Sequence, residues 1–276
     1  MKKYRLGINV SSGIPMDMLD QMEIIKNVGF DAFFTMWTPE RTEEIANRAA
    51  RLGLYQQSIH APFRNAHLMW KDGEEGELAT KELIECVEDC ARFDIPIMVT
   101  HTFKGFNDHS PNDTGVSNFG RVVDAASKHG VKVAFENIEG EEYLLAVMDR
   151  YKHADCVGFC YDTGHQLCYN HTTDILELYG DKLIHTHLND NLGVRGDKIT
   201  WHDDLHLMPT DGITDWANTL RRIDSLLYGD VLMSELSYSV REGRDGAVLR
   251  YSDLPVDEYM AMAYKKITAA LQAAEV

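Results

Sequence analysis

At 276 residues, 44% hydrophobic and 26% charged, the chain suits one closed α/β barrel, which needs roughly 250 residues, or two ordinary domains; disorder and fibrous repeats are excluded. A formal net charge of −17 argues against nucleic acid, whose phosphates demand a basic face. No apolar run approaches the roughly 20 residues of a membrane span, so no membrane partner is expected.

From Met1 the chain enters a strand pattern, Arg5 to Val10, with no room for a secretory leader, and a cytoplasmic location is the default expectation. An amphipathic helix over Met16 to Val28 follows, then a strand over Ala32 to Met36, a helix over Glu40 to Leu52 and a strand over Leu54 to His60. The alternation continues with a helix at Glu75 to Arg92, a strand at Ile97 to His101, a helix at Val116 to His129 and a strand at Val131 to Glu136. Next come a helix at Tyr143 to Tyr151, a strand at Val157 to Asp162, a helix at Thr173 to Tyr179 and a strand at Leu183 to His187. A helix at Trp216 to Leu227, a strand at Asp230 to Leu236 and a helix at Asp257 to Ala274 complete the chain. Gly29, Gly53 and Gly130 each follow a last amphipathic turn and read as helix stops.

Strands alternating with helices in this way form parallel βαβ units, and eight of them predict a (β/α)8 TIM barrel. No linker or shift in composition divides the chain, so residues 1–276 are read as a single domain. The five cysteines, Cys86, Cys90, Cys156, Cys160 and Cys168, are an odd set without a secreted framework and are expected reduced. Cys86 and Cys90, four apart on a helix, read as packing residues. The longest irregular stretch, Asn189 to Asp215, is long enough to be expected to carry function.

The chemistry is concentrated at strand ends. Six consecutive strands finish on a histidine or carboxylate: Ser58-Ile59-His60, Thr100-His101, Phe135-Glu136-Asn137, Tyr161-Asp162-Thr163-Gly164-His165, His185-Thr186-His187-Leu188-Asn189-Asp190 and Ser234-Glu235. A lone histidine in such a place ordinarily satisfies a backbone carbonyl. Packing accidents, however, have no reason to favour one end of six successive strands, and in a closed parallel barrel those ends meet on one rim. Several carboxylates buried together repel one another unless protons or cations offset the charge. Mixed imidazole and carboxylate donors favour zinc, manganese, iron or cobalt over calcium or magnesium. The long loop adds Asp204-Leu205-His206, an Asp-x-His step able to supply two ligands from one turn.

From His60 to Glu235 these residues, in this strand order, resemble the xylose isomerase-like TIM barrels, which include sugar isomerases, ketose 3-epimerases and endonuclease IV; the most specific pieces are Asp162-Thr163-Gly164-His165 and His187-Leu188-Asn189-Asp190. The resemblance implies that Glu136, Asp162, His187 and Glu235 hold the single metal of the epimerase branch and that His165 touches substrate. In the endonuclease branch, which holds three ions, the additional matching positions are His60, His101, His165, Asp204 and His206, with Glu136 bridging. All nine positions carry suitable ligand types, so one ion is favoured and up to three are compatible.

Of the two branches, sugar chemistry is the better match, because the loops after the second and third strands lack the cationic platform that a bent duplex requires. The expected reaction is isomerisation or epimerisation of a small sugar or sugar derivative by proton abstraction next to a carbonyl, through a metal-stabilised enediolate. Glu136 and Glu235 are expected to act as base and acid on opposite faces of the reacting carbon. Trp37, Phe63, Trp70, Phe103 and Trp201 are candidate platforms for a sugar ring, against packing roles for each. Arg195 and Lys198 could meet an anionic group, against plain surface decoration. The alternatives are a zinc phosphodiesterase acting on abasic DNA, a lyase or hydratase of a keto-glycoside, and a non-catalytic sugar-binding barrel. Homo-oligomerisation stays open.

Overall fold

The computed structural model describes residues 4–107, 109–226, 228–229, 231–239 and 251–276. Strands β1 (Arg5–Val10), β2 (Ala32–Met36), β3 (Tyr55–His60), β4 (Ile97–His101), β5 (Lys132–Glu136), β6 (Val157–Asp162), β7 (Leu183–His187) and β8 (Val231–Ser234) form one parallel sheet. Its order is β7-β6-β5-β4-β3-β2-β1-β8. Between them run helices α1 (Met18–Val28), α2 (Thr42–Leu52), α3 (Glu74–Arg92), α4 (Asp113–His129), α5 (Glu141–Tyr151), α6 (Thr163–Cys168), α7 (Ile175–Tyr179) and α8 (Trp216–Ser225), with α9 (Val256–Ala274) last. This is the (β/α)8 barrel expected from the alternation of elements. The expected strand start at Asp230 and helix end at Leu227 lie outside the described residues, as do Met1, Lys2 and Lys3.

Barrel closure between β7 and β8 is short. Leu188 bridges Ser234 in parallel, with Leu188 N donating to Met233 O at 2.8 Å. The Thr186 hydroxyl extends the seam, accepting from Met233 N at 2.9 Å and facing Met233 O at 3.2 Å. A side chain thus supplies hydrogen bonds that the backbone ladder does not make there.

Gly29, Gly53 and Gly130 stop α1, α2 and α4 in left-handed conformation, as their positions in the sequence predict. Helix α6 was not anticipated. It begins directly at the end of β6, where Asp162 serves as N-cap and accepts a hydrogen bond from His165 N at 2.6 Å. Six residues are too few to show helical periodicity against the strand before them.

The main hydrophobic core lies between sheet and helices, and Cys86 and Cys90 are buried in it on α3. Smaller clusters fill the barrel, one of Ala32, Phe34, Val231 and Met233 and another of Ile97, Val99, Ala134 and Cys160. Side chains along a strand alternate faces. The next residue of the interior set on each of β4, β5, β6 and β8 is therefore His101, Glu136, Asp162 or Glu235. Below the ionisable top, the barrel interior is mostly apolar because of this two-residue period, with Ser58 and His185 a buried polar pair within it. Among the described residues, no helix is long and apolar enough to cross a membrane.

Candidate metal centre

Strand register brings the site together. Parallel pairing sets His101 beside Glu136 and Asp162 beside His187. Glu136 is fully buried and lies at the centre. Its Oε2 is 3.2 Å from His60 Nε2 and 3.3 Å from His101 Nε2, while its Oε1 is 2.9 Å from His187 Nδ1 and 3.3 Å from His165 Nδ1. Glu235 Oε2 is 3.2 Å from the same His187 nitrogen. Asp204 Oδ2 stands 3.4 Å from His165 Nε2 and 3.1 Å from His206 Nε2.

All nine expected ligands are thus brought together, in three groups whose donor atoms lie within 4.8 Å of one another: His60, His101 and Glu136; Glu136, Asp162, His187 and Glu235; His165, Asp204 and His206. Glu136 belongs to two of them. A fourth group, Cys160, His185 and His187, lies one layer deeper in the barrel. There His185 Nε2 is 2.8 Å from the Ser58 hydroxyl, and burial and the neighbouring His187 hold its imidazole neutral. Burial, reinforced by Glu136, Asp162 and Glu235, pushes the Cys160 thiol up, so it packs as a neutral group.

The imidazoles are aimed by backbone carbonyls. His60 Nδ1–H donates to Ala61 O at 2.8 Å, His165 Nδ1–H to Asn137 O at 2.9 Å and His206 Nδ1–H to Glu235 O at 3.2 Å. Each leaves Nε2 pointing at a carboxylate, which is how second partners orient metal-binding histidines. His206 is held in this pose with φ 48, a region that a residue with a Cβ adopts only under constraint.

Asp162 is positioned with equal care. The Asn137 amide donates to Asp162 O at 2.9 Å and its carbonyl accepts from Asp162 N at 2.8 Å. Asn189 Nδ2 donates to Asp162 Oδ2 at 2.7 Å, and the Thr163 hydroxyl donates to Asn189 O at 2.5 Å. Only glycine fits at 164, because a Cβ there would collide with the Asn189 side chain. Asp190, also fully buried, anchors the long loop: it accepts from Thr210 N at 3.0 Å, Thr214 Oγ1 at 2.7 Å and Trp216 Nε1 at 2.8 Å. Asn170 accepts from Asn137 Nδ2 at 3.2 Å and Asn191 Nδ2 donates to Asp204 Oδ1 at 3.4 Å; none of these three asparagines is expected as a site residue from the sequence. Asn137 and Asn191 do stand next to ionisable residues in the strand-end motifs, which is the only trace of them in the sequence.

Charge at the site is balanced by protons. Burial opposes ionisation of Glu136, yet the imidazoles of His187 and His101 hold its carboxyl well below the usual range. Burial likewise opposes charge on His187 and His206, but Glu136 and Glu235 raise His187 to about 9, and Asp204 and Glu235 raise His206 to about 10. Burial raises Asp162 to about 6 against the pull of His165 and His206. These imidazolium protons occupy the place of a divalent cation's charge, and the mixed donor set fits an ion of the zinc, manganese, iron or cobalt kind.

Above the cluster opens a cavity of about 1250 Å³, whose lining includes His60, His101, His165, Asp204, His206 and Glu235. Trp37, Phe63 and Trp201 line it, as does Phe106, which was not anticipated. Two expected platforms are not available. Trp70 is buried against Phe119 and Tyr143 with its Nε1 donating to Thr102 O, and Phe103 is buried in a stack on Tyr143; neither lines the cavity. Arg195 and Lys198 do not line it either; among the described residues its lysine and arginine side chains are Arg64 and Lys104. In that loop Arg195 N donates to Asp203 Oδ1 at 3.5 Å.

The family model of the xylose isomerase-like TIM barrel matches residues 20–251. Among solved structures, a D-tagatose 3-epimerase-like protein superposes with TM-score 0.74 at 20% identity, covering 100% of this chain and 98% of the other. A xylose isomerase domain protein from Planctomyces limnophilus gives TM-score 0.76 at 14% identity, covering 99% of each chain. The IOLI protein with a bound zinc atom gives 0.74 at 17% identity, covering 100% of this chain and 98% of that one. Identities this low establish the common fold. No curated protein matches the sequence.

Proposed function

The chain belongs to the xylose isomerase-like TIM barrel family, and from that premise we propose that it is a divalent-metal-dependent sugar isomerase or epimerase. The observation that carries this reading is the convergence of Glu136, Asp162, His187 and Glu235 within 4.8 Å beneath an aromatic-walled cavity of about 1250 Å³. Structures named for 3-epimerases of D-psicose and L-ribulose share the fold, and so does one named for a 3-keto-D-glucoside 4-epimerase. A divalent ion held by these four residues would polarise a carbonyl and stabilise the negative charge that develops on its oxygen.

The proton itself is moved by the protein. Glu235 lines the cavity with its side chain 19% exposed, so a substrate bound there would meet its carboxylate. Glu136 has both oxygens engaged by histidines, no exposed side-chain surface and no place in the cavity wall. On this geometry we assign Glu235 as base and Glu136 as ligand, a narrower reading than two glutamates acting on opposite faces. Transfer by one carboxylate on one face produces aldose–ketose isomerisation; epimerisation needs a second proton carrier, and His101 is placed in the wall to act as one. The stacking faces of Phe63, Phe106 and Trp201 suit the apolar side of a sugar.

A second reading is favoured by one observation, the grouping of nine candidate ligands into three clusters, two of which share Glu136. Such a set could hold three ions and hydrolyse a phosphodiester. The net charge of −17 opposes it, because duplex binding draws most of its affinity from cationic contacts. The test uses metal-loaded protein in deuterated water with a panel of aldoses, ketoses and 3-keto sugars, alongside an abasic-site duplex. Solvent deuterium at a carbon next to the carbonyl is the expected result, and a keto-glycoside that loses or gains water would reassign the reaction to a lyase. Nicking of the duplex without sugar exchange would replace the isomerase reading with the hydrolytic one. Silence in both arms would leave a sugar-binding barrel.

A further inference from the structure

We propose that the cavity wall carries an anion subsite built on Lys104, so that the substrate bears a carboxylate or phosphate monoester at the end remote from the ligand cluster. The proposal rests on the sugar reading of the floor. The Lys104 ammonium lies 4.7 Å from the centre of the Phe63 ring and 5.4 Å from that of Trp201, and all three side chains line the cavity. Two ring faces hold the ammonium in place, yet neither accepts a conventional hydrogen bond. Among the described residues, Lys104 has no ion-pair partner and no acceptor for its three N–H donors.

This arrangement is pre-set. Glu139 Oε1 accepts from Gly105 N at 3.0 Å and from Trp201 Nε1 at 3.2 Å, tying the residue after Lys104 and the ring beside it to one carboxylate. Gly105, at φ 136, makes the turn that a residue with a Cβ would resist. Arg64, next to Phe63 in sequence, is a second cation in the wall. Among the described residues, neither Arg64 nor Lys104 forms an ion pair, although Glu82, Glu139, Asp204 and Glu235 also line the cavity, so each cation keeps its charge for a ligand.

The position relative to the floor sets the geometry of the ligand. Phe63 lies between the two regions, its ring 5.0 Å from that of His101 and 5.7 Å from that of His60, while its other neighbour is Lys104. A sugar lying along Phe63 would reach Glu235 and the ligand cluster at one end and Lys104 at the other. An ammonium partly removed from water attracts an anion more strongly than one in bulk solvent, and its compact charge serves a carboxylate or a phosphate equally.

The test is binding, independent of turnover. Trp201 is 45% exposed beside Lys104, so its fluorescence reports on the subsite, and W201F identifies its contribution. Inorganic phosphate and acetate are titrated in separate arms into the full chain, with a neutral pentose as control. Saturable binding of an anion, weakened at least tenfold by K104M, restored by K104R and accompanied by unchanged pentose binding, is the expected result. The stronger arm identifies the substrate's acidic group. Equal anion binding by wild type and K104M, or no saturable signal in either arm, would overturn the subsite. Lys104-dependent anion binding in a protein that exchanges no sugar proton would support the subsite and count against the isomerase reading.

Discussion

His187 Nδ1 lies between two carboxylates, 2.9 Å from Glu136 Oε1 and 3.2 Å from Glu235 Oε2, while its Nε2 is buried without a hydrogen-bond partner. One imidazole edge therefore faces two strand ends that are 99 residues apart in the chain, and the proton on that edge is what joins them when no cation does. The consequences divide into those for holding an ion and those for moving a proton.

Replacing Glu136 with Gln keeps its shape and removes its charge at the centre shared by two ligand groups. We expect metal affinity to fall at least about 100-fold, more than an outer-shell change costs, and turnover to be lost with it. Metal content after dialysis, read by elemental analysis, checks this; an E136Q protein with full metal and normal rate would displace the assigned centre.

Glu235→Gln separates the roles. Three of the four ligands remain, so much of the metal should be retained when it is supplied in excess. Loss of the base should lower the proton-exchange rate about 10²- to 10⁴-fold. If E235Q exchanged deuterium normally while E136Q did not, base and ligand would have to be interchanged.

In metal-free protein His187 titrates near 9 and His206 near 10, both above the free imidazole value, so at pH 7.5 each carries a proton that a cation must displace. Adding a divalent ion to the protein in weak buffer should release protons, and apparent affinity should rise as pH is raised from 6.5 to 9. The sign for stability is the opposite. A raised folded-state value contributes stability fully present below about 6.5 and lost as pH climbs through 9 to 10, so chelator-treated protein should melt at lower temperature at pH 9 than at pH 6.5. Melting curves with and without metal across that window decide it, and a flat metal-free profile would contradict the charge pairing.

Asn137→Ala removes both halves of the amide pair with the Asp162 backbone and the contact with Asn170 at 3.2 Å. Buried groups left without partners cost about 1–3 kcal/mol. We expect a destabilisation of about that size in chemical unfolding, together with roughly tenfold weaker metal binding as Asp162 loses its orientation. Normal metal affinity in N137A would show that Asp162 is positioned from the Asn189 side alone.

Much of the molecule is legible in the sequence. Short β-branched runs alternating with amphipathic segments predict the eight units, and most boundaries agree within two residues: the helix expected from Glu75 starts at Glu74, and the strand expected from Leu54 starts at Tyr55. The larger shift, at Val116 against Asp113, arises because the first turn of α4 is capped by Asn112 and carries no apolar face to betray it. Aromatic residues were the weakest reading. Phe63 and Trp70 are both large rings in the loop after β3, and only packing shows that Phe63 faces the cavity while Trp70 is locked under Thr102.

By itself the sequence determined the barrel and which ionisable residues meet at its rim, because both follow from local rules: strand and helix periods, and a parallel barrel that carries every strand's last inward residue to one rim. The tertiary structure decided the rest. Glu136 is closed in by histidines from β3, β4, α6 and β7 while Glu235 is open to the cavity, a difference in enclosure that no local pattern carries. Cation placement follows the same logic. Lys104 enters the wall through contacts with Phe63 and Trp201, residues 41 and 97 positions away, and distances of that kind are set by chain closure and not by any local pattern.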